Sequence, residues 1–377
     1  MKKAVCIVLS LLMLLPLVAC GQKDDGDIVI GGLAPLTGDV SKYGIGVYNG
    51  ARIAVDEINE AGGVLGRQIK YVCHDEKGDA TEAINAYNTL VQTDKIIALM
   101  GDVTTAPTIA VAKKAAEDEI PMITPTATGA EVTEIGDNIF RICFTDPFQG
   151  ELLAHYASTV IGAQSAAILF DTGDPYSSGI ADAFEEKAAE LGLTVTAKEG
   201  YPSKNPDFSS QLTKIKNGNP DVILASGYYT DAALILTQAR DLGIDVPFIG
   251  PDGWDGVLDQ LGGNVDVVNG CFYCSQYSSS NPGDNLRAFM DEYRARYDED
   301  ENMFAVLGYE AIYALAKAIE AAGTTESADI VKALANLELD GLTGAISFRG
   351  GRDPARDAFI VTFVDGSEQV LGTHGVS

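Results

Sequence analysis

From Ile28 onward, short β-branched runs alternate with helical stretches, and the whole series occurs twice. Ile28-Val29-Ile30 leads through a glycine-rich turn to Tyr48–Ala61, where Ala51, Ala54, Val55 and Ile58 share one apolar face and Gly62-Gly63 stop the helix. Ile69 to Cys73 reads as a strand, Asp79 with Glu82 as a capping box opening an alanine-rich helix, Ile96 to Met100 as a strand, Ala106 to Glu117 as a helix, and Pro121 to Thr124 as a strand. After Ile139 to Phe144 the order restarts: helix Phe148–Ile161, strand Ala166–Phe170, helix Ser178–Leu191, strand Thr194–Ala197, helix Phe208–Lys216, strand Val222–Ala225, helix Ala232–Leu242 and strand Phe248-Ile249. Strand and helix in strict alternation build a parallel sheet with helical crossovers, so two series predict an α/β protein of two Rossmann-like lobes with mostly parallel sheets. Past Cys274 come three helices (Asn285–Tyr297, Phe304–Ala322, Ala328–Asn336) and strands at Ala345–Phe348 and Phe359–Val364, expected to join sheets already built.

A chain of 377 residues accommodates two such lobes, and 40 glycines against 14 prolines suit many short turns. The formal charge of −28 excludes nucleic acid or an anionic membrane surface as the main partner, since both need concentrated positive charge. Residues 1–19 read as a leader: Lys2 and Lys3 precede an apolar run from Ala4 to Ala19, the length of a signal-peptide core and short for a spanning helix. The run ends in Leu17-Val18-Ala19-Cys20-Gly21, which resembles the bacterial lipobox, whose cysteine carries diacylglycerol. Cys20 is therefore the expected lipid anchor, and residues 20–27 a polar tether. Of the remaining cysteines, Cys271 and Cys274 stand three apart on an apparent strand, an odd offset that points them to opposite faces; these two, Cys73 and Cys143 are expected free and mostly buried.

Catalytic and cofactor signatures are missing. Gly44-Ile45-Gly46-Val47-Tyr48-Asn49-Gly50 misses dinucleotide spacing by one residue, no phosphate loop occurs, and Pro175-Tyr176-Ser177-Ser178-Gly179 lacks the first glycine of a hydrolase elbow. His74-Asp75-Glu76 with Asp79 reads as a solvated acidic loop, not a metal site. Asp298-Glu299-Asp300-Glu301-Asn302 imitates the start of a calcium loop but puts Met303 where glycine is needed, so it reads as a solvated charge run. The expectation is no enzyme, no cofactor and no metal.

In open α/β sheets ligands sit at the carboxyl ends of strands, which directs attention to the turns after Met100, Thr124, Phe170, Ala225 and Ile249. Those turns hold a set suited to a zwitterion. Thr104 and Thr105 open a helix, where hydroxyls and backbone N–H groups with the helix dipole favour a carboxylate. Thr124-Pro125-Thr126-Ala127-Thr128 offers carbonyls and a hydroxyl, Asp252 in Gly250-Pro251-Asp252-Gly253-Trp254 supplies one negative charge for an ammonium, and Tyr43, Tyr176 and Tyr228 give apolar walls with polar tips.

Pro35-Leu36-Thr37-Gly38 with Tyr43-Gly44, Asn49 to Arg52, Asp56 to Asn59, Ala61 to Arg67, Thr124 to Thr128 and Gly250 to Trp254 occur together in an order that resembles the Leu/Ile/Val-binding protein family, the extracytoplasmic receptors of branched-chain amino-acid ABC importers. The resemblance runs from Ile28 to about Val364. It implies the type I periplasmic-binding fold, with three crossovers, lobe one at 28–146 plus 276–354, lobe two at 147–275 plus 355–377, and the ligand between them. It further implies that Thr105 and Thr128 bind the α-carboxylate, with Thr128 also beside the ammonium, that the Thr126 carbonyl and Asp252 receive the ammonium, that Tyr43, Tyr176 and Tyr228 wall the cleft, and that Val103 and Thr104 approach the ligand side chain, with Ala127 in the same turn. Partners implied are an amino acid, branched-chain first, and the permease subunits of an importer, served by a monomer anchored outside the cytoplasm; another amino acid, a small amide or a sensory role are the alternatives on the same fold. Two departures stand out: Asp252 where leucine-binding members carry Glu, and Trp254 where a small apolar residue is usual, which predicts a ligand of another size. The family's disulfide positions are here Asp79 and Thr104, so that bridge is absent.

Overall fold

The structure is a computed structural model that describes residues 26–280 and 282–375. The leader, Cys20 and most of the tether lie outside the described residues. The first series runs β1 Ile28–Ala34, α1 Ser41–Glu60, β2 Ile69–Asp75, α2 Ala80–Thr89, β3 Ala98–Met100, α3 Thr105–Glu117, β4 Met122–Thr124 and β5 Ile139–Arg141. Its sheet has the order β2-β1-β3-β4-β5, every neighbour parallel. The second runs α4 Asp146–Tyr156, β6 Ser165–Asp171, α5 Pro175–Leu191, β7 Thr194–Tyr201, α6 Ser209–Gly218, β8 Val222–Ser226, α7 Tyr229–Asp241, β9 Phe248–Gly250, α8 Val257–Gln260 and β10 Phe272–Ser275. There follow α9 Asp284–Tyr297, α10 Met303–Ala322, α11 Ser327–Leu334, β11 Glu338–Gly341, β12 Gly344–Ser347, β13 Ala358–Val364 and β14 Ser367–His374.

The second sheet is β14-β13-β10-β9-β8-β6-β7, parallel except where β13 and β14 add antiparallel at the edge. The central strands β6, β8 and β9 are almost wholly buried, as strands covered by helices on both faces must be. α10 returns the chain to the first layer and packs along α1. The two helices meet at glycines, since a Cβ on Gly50 would fall on the Ala305 carbonyl and one on Gly308 on the Val47 carbonyl. α10 is buried on most of its surface, which explains why its sequence is apolar nearly all round. At the third passage between layers, a buried Arg356–Glu310 ion pair of 2.8 Å fastens the chain before β13 to α10, and Glu310 also accepts from the backbone and hydroxyl of Thr343 at 2.8 Å.

Several expectations are corrected. Ala345–Phe348 does not join a lobe sheet: β12 pairs with β11 in a separate hairpin, because Gly341 to Gly344 turns the chain back at once. β14 escaped the reading because it alternates without an apolar face. The capping box at Asp79 is half right: its carboxylate accepts from Thr81 and Glu82 N–H, but the return bond to Asp79 N–H comes from Glu76 at 3.1 Å. Glu76 is fully buried, so the loop holding it is not the solvated run expected. Nor is the 298–302 run wholly solvated, since Asn302 caps α10 through Ala305 N–H and Glu301 accepts from the Tyr277 hydroxyl. Cys143, Cys271 and Cys274 are buried, Cys73 is half-buried, and all four are free. Among the described residues no helix is long and apolar enough to cross a membrane.

Candidate functional site

The carboxyl ends of the two sheets face one another, and each lobe contributes a differently built wall. In the first lobe, β3 runs into Asp102-Val103 and then α3, whose N-cap Thr104 makes no side-chain cap. The Thr-rich turn after β4 is tied onto this segment: Thr124 donates its hydroxyl to the Asp102 carbonyl at 2.6 Å and Thr126 donates to the Val103 carbonyl at 2.7 Å. Thr105 Oγ1 accepts from Gly129 N–H at 3.2 Å, which leaves the Thr105 hydroxyl proton to donate elsewhere. With the first amides of α3, it forms the anion end of the cleft. Arg141, fully buried, braces the turn from below through the carbonyls of Ala127 (3.0 Å) and Gly129 (2.8 Å), and pairs with Asp353 at 2.5 Å.

In the second lobe, Asp252 follows β9 and is 3% exposed. It accepts from the Tyr176 hydroxyl at 2.7 Å, while its own N–H donates to Gln149 Oε1 at 2.9 Å. Burial pushes its carboxyl up to about 7, against the opposing pull of hydrogen bonds from the Tyr176 hydroxyl, the Gln149 side chain and Gly253 N–H. Tyr176 and Tyr228 stack face to face at 4.8 Å. Asp146, at the start of α4, is 1% exposed, and burial holds its carboxyl well above the usual range.

The lobes touch across the cleft. Tyr43 donates its hydroxyl to the Gly253 carbonyl, Lys42 pairs with Asp259, and Met303 N–H donates to Asp255 at 3.3 Å. The ring of Tyr43 stacks on Phe304 at 4.1 Å and meets Tyr228 and Tyr229 edge-on. Inside lies a small, tightly closed cavity lined by Tyr43, Val103, Thr104, Thr105, Thr126, Thr128, Tyr176, Tyr228 and Asp252, together with Gly253 and Phe304. A much larger groove beside it is open to solvent, and carboxylates along it are already engaged by Lys42, Tyr277 and the Met303 amide.

Nine of the eleven residues named from sequence therefore line one cavity, and two do not. Trp254 is fully buried beneath Gly250, its indole N–H donating to the Ala225 carbonyl at 3.0 Å, so it packs behind the site and does not set ligand size. Ala127 lies in the core of the first lobe, where its carbonyl serves Arg141. Phe304 escaped notice because it arrives from the start of α10 and not from a strand end. Gln149 and Asp146 lie past the turn after β5, where the alternation seemed only to be restarting; the Thr145-Asp146-Pro147 helix start was the available signal.

Two α/β lobes closing on a polar cavity whose walls carry opposite character define a solute-binding protein. The chain belongs to the periplasmic binding protein family, whose model matches residues 27–368. It is 34% identical to the Leu/Ile/Val-binding protein BraC3 of Rhizobium johnstonii over 81% of this chain and 82% of that one, and 32% identical to an amino acid binding protein of Pseudomonas aeruginosa over 80% of each. Among solved structures it is similar to a leucine binding protein LivK from Thermotoga maritima (TM-score 0.87, 30% identity, covering 92% and 99%) and to LivJ from Streptococcus pneumoniae, solved with isoleucine (TM-score 0.85, 32% identity, covering 93% and 99%). The fold is thus the type I periplasmic-binding fold that the sequence resemblance implies.

Proposed function

We propose that this chain captures an amino acid, branched-chain first among candidates, in the interlobe cavity and presents the closed form to the permease of an ABC importer. The observation that carries the reading is the cavity's polarity: free donors at Thr105 and the α3 amides on one wall, and a buried carboxyl, Asp252, on the other. An α-carboxylate and α-ammonium fit those two ends, and Val103, Tyr43 and Phe304 supply an apolar surface for the side chain. The names of the relatives agree with this choice. In this reading the lobes divide at 28–146 plus 276–354 against 147–275 plus 355–377, the receptor acts as a monomer without turnover, and lipid on Cys20 anchors it to the outer face of the membrane. A thermal-shift screen of the twenty amino acids tests the ligand class: a raised Tm with leucine, isoleucine or valine supports it, and a response to none of the twenty contradicts it. Labelled fatty acid entering the wild type but not Cys20→Ser tests the anchor; equal labelling refutes it.

A further inference from the structure

Asp252 is not the only acid behind the cavity. Asp146 approaches from the start of α4, buried to 1% exposure. Its Oδ1 accepts from Gln149 Nε2 at 3.3 Å, and the same amide's Oε1 receives Asp252 N–H at 2.9 Å and the Cys274 thiol at 3.2 Å. One glutamine thus spans the two acids. The Asp146 carboxylate also takes a hydrogen bond from Thr128, a residue of the cavity wall, while its Oδ2, beside Gly179, is buried without a hydrogen-bond partner. An unmatched carboxylate oxygen in such a place is costly unless something fills it.

Among the described residues the cation that acts on Asp146 is already engaged. Arg141 is the nearest positive charge, and its guanidinium is spent on Asp353 and on backbone carbonyls of the Thr-rich turn. The other titratable groups that act on the two acids are Asp174 and Asp255, both acidic; Cys143 and Cys274 carry thiols driven upward by burial, and Tyr176 donates to Asp252. The surroundings hold acids in excess of cations, and a positive group can enter from the cavity.

We propose that Asp146 and Asp252, joined through Gln149 and reaching the cavity through Thr128, form a two-carboxyl cation pole that selects ligands with a primary ammonium and gives up a proton when one binds. The proposal rests on the amino-acid reading and adds a specificity-determining residue to it. Asp252 meets the ammonium directly; Asp146 acts as a positioning residue, fixing Thr128 so that its oxygen lone pairs face the ammonium hydrogens. Before binding, burial of both carboxyls, with the charge of Asp252 acting on Asp146, favours their protonated forms. The arriving ammonium stabilises the carboxylate form, and the displaced proton leaves to the buffer, with no covalent change.

The test is calorimetric titration of the wild-type chain with each of the twenty amino acids at pH 7, repeated in two buffers of different ionisation enthalpy, and then with Asp146→Asn. The difference between buffers counts protons. The expected result is net proton release with the amino acid that binds, and in Asp146→Asn a smaller release with affinity lower by about tenfold to a hundredfold, the range for losing a hydrogen bond to a charged group. Binding by wild type without proton release overturns the inference while leaving the amino-acid reading intact, whatever becomes of the variant's folding. Equal affinity and equal proton count in Asp146→Asn overturn it equally. Binding of no amino acid at all sinks both readings.

Discussion

The two walls of the cleft are polar in opposite ways, and they are stabilised by opposite means. The first-lobe wall is made of hydroxyls and amides wired to each other: Thr124 and Thr126 are committed to the Asp102 and Val103 carbonyls, and Arg141 clamps the turn from behind. The Thr124 and Thr126 hydroxyls and the Arg141 guanidinium are thus committed before any ligand arrives. The opposing wall keeps the Asp252 carboxyl buried, with Asp146 behind it at the start of α4 where the lobes join, at a cost in solvation that raises the affinity of both for protons. On the proposed amino-acid reading, a preorganised donor set and a buried acid pair imply that the ligand's two ends contribute differently: the carboxylate would be oriented by the first lobe, whereas the ammonium would relieve the opposing acids and so favour closure.

That contrast ranks the expected losses. Asp252→Ala, on the acidic wall, has the largest effect: leaving a buried charge without its partner costs about 2 to 5 kcal/mol, or roughly 30-fold to several thousand-fold in Kd. Calorimetry showing a change under threefold would remove Asp252 from the pole. Thr105→Val, on the wired wall, deletes one donor to the carboxylate and orphans Gly129 N–H, for about 1.5 to 3 kcal/mol, or tenfold to a little over a hundredfold. An unchanged Kd there would mean that the anion end is made by backbone amides alone.

The smallest effect is on stability and lies behind the first wall. Glu76 and Asp102 are both fully buried, each has an oxygen without a partner, and burial raises both carboxyls, Glu76 further through the charge of Asp102 and Asp102 against the pull of hydrogen bonds from Val103 N–H and Glu76. The folded chain therefore binds more protons here than the unfolded chain, whose carboxyls titrate near about 4. Stability contributed by the pair is full in acid and declines as pH rises through neutrality. The ligand-free Tm should fall between about pH 5 and pH 9, and Glu76→Gln should flatten that slope. A wild-type Tm that rises over the same interval contradicts the assignment.

The sequence made much of this readable, for identifiable reasons. Strand-and-helix alternation reports directly on parallel sheets, and the strand-end rule together with the family resemblance, which alone supplied Val103, located nine cavity residues that follow a strand or open the helix after it. Trp254 misled because adjacency to Asp252 in sequence says nothing of side-chain direction: the short helical turn at 252–254 swings the indole under Gly250 and away from the cavity. Asp146 was invisible to the rule since it stands at a helix start at a passage between the lobes, and Phe304 since it opens α10 after another helix and not after a strand; local patterning does not record which lobe a returning chain will face. Glu76 read as solvated since its neighbours Asp75 and Lys77 are polar, while its burial depends on Asp102, a tertiary neighbour.

The central claim is that the cavity reads both ends of a zwitterion, one with each wall. The direct measurement is calorimetric titration of the wild-type chain with the amino acid that binds, its 2-hydroxy acid, which lacks the ammonium, and its decarboxylated amine. The account predicts that both analogues lose at least about a hundredfold in affinity, the effect of about 2.7 kcal/mol at each end. A 2-hydroxy acid that binds within threefold of the amino acid would show that the acidic wall does not hold an ammonium, and would contradict the account.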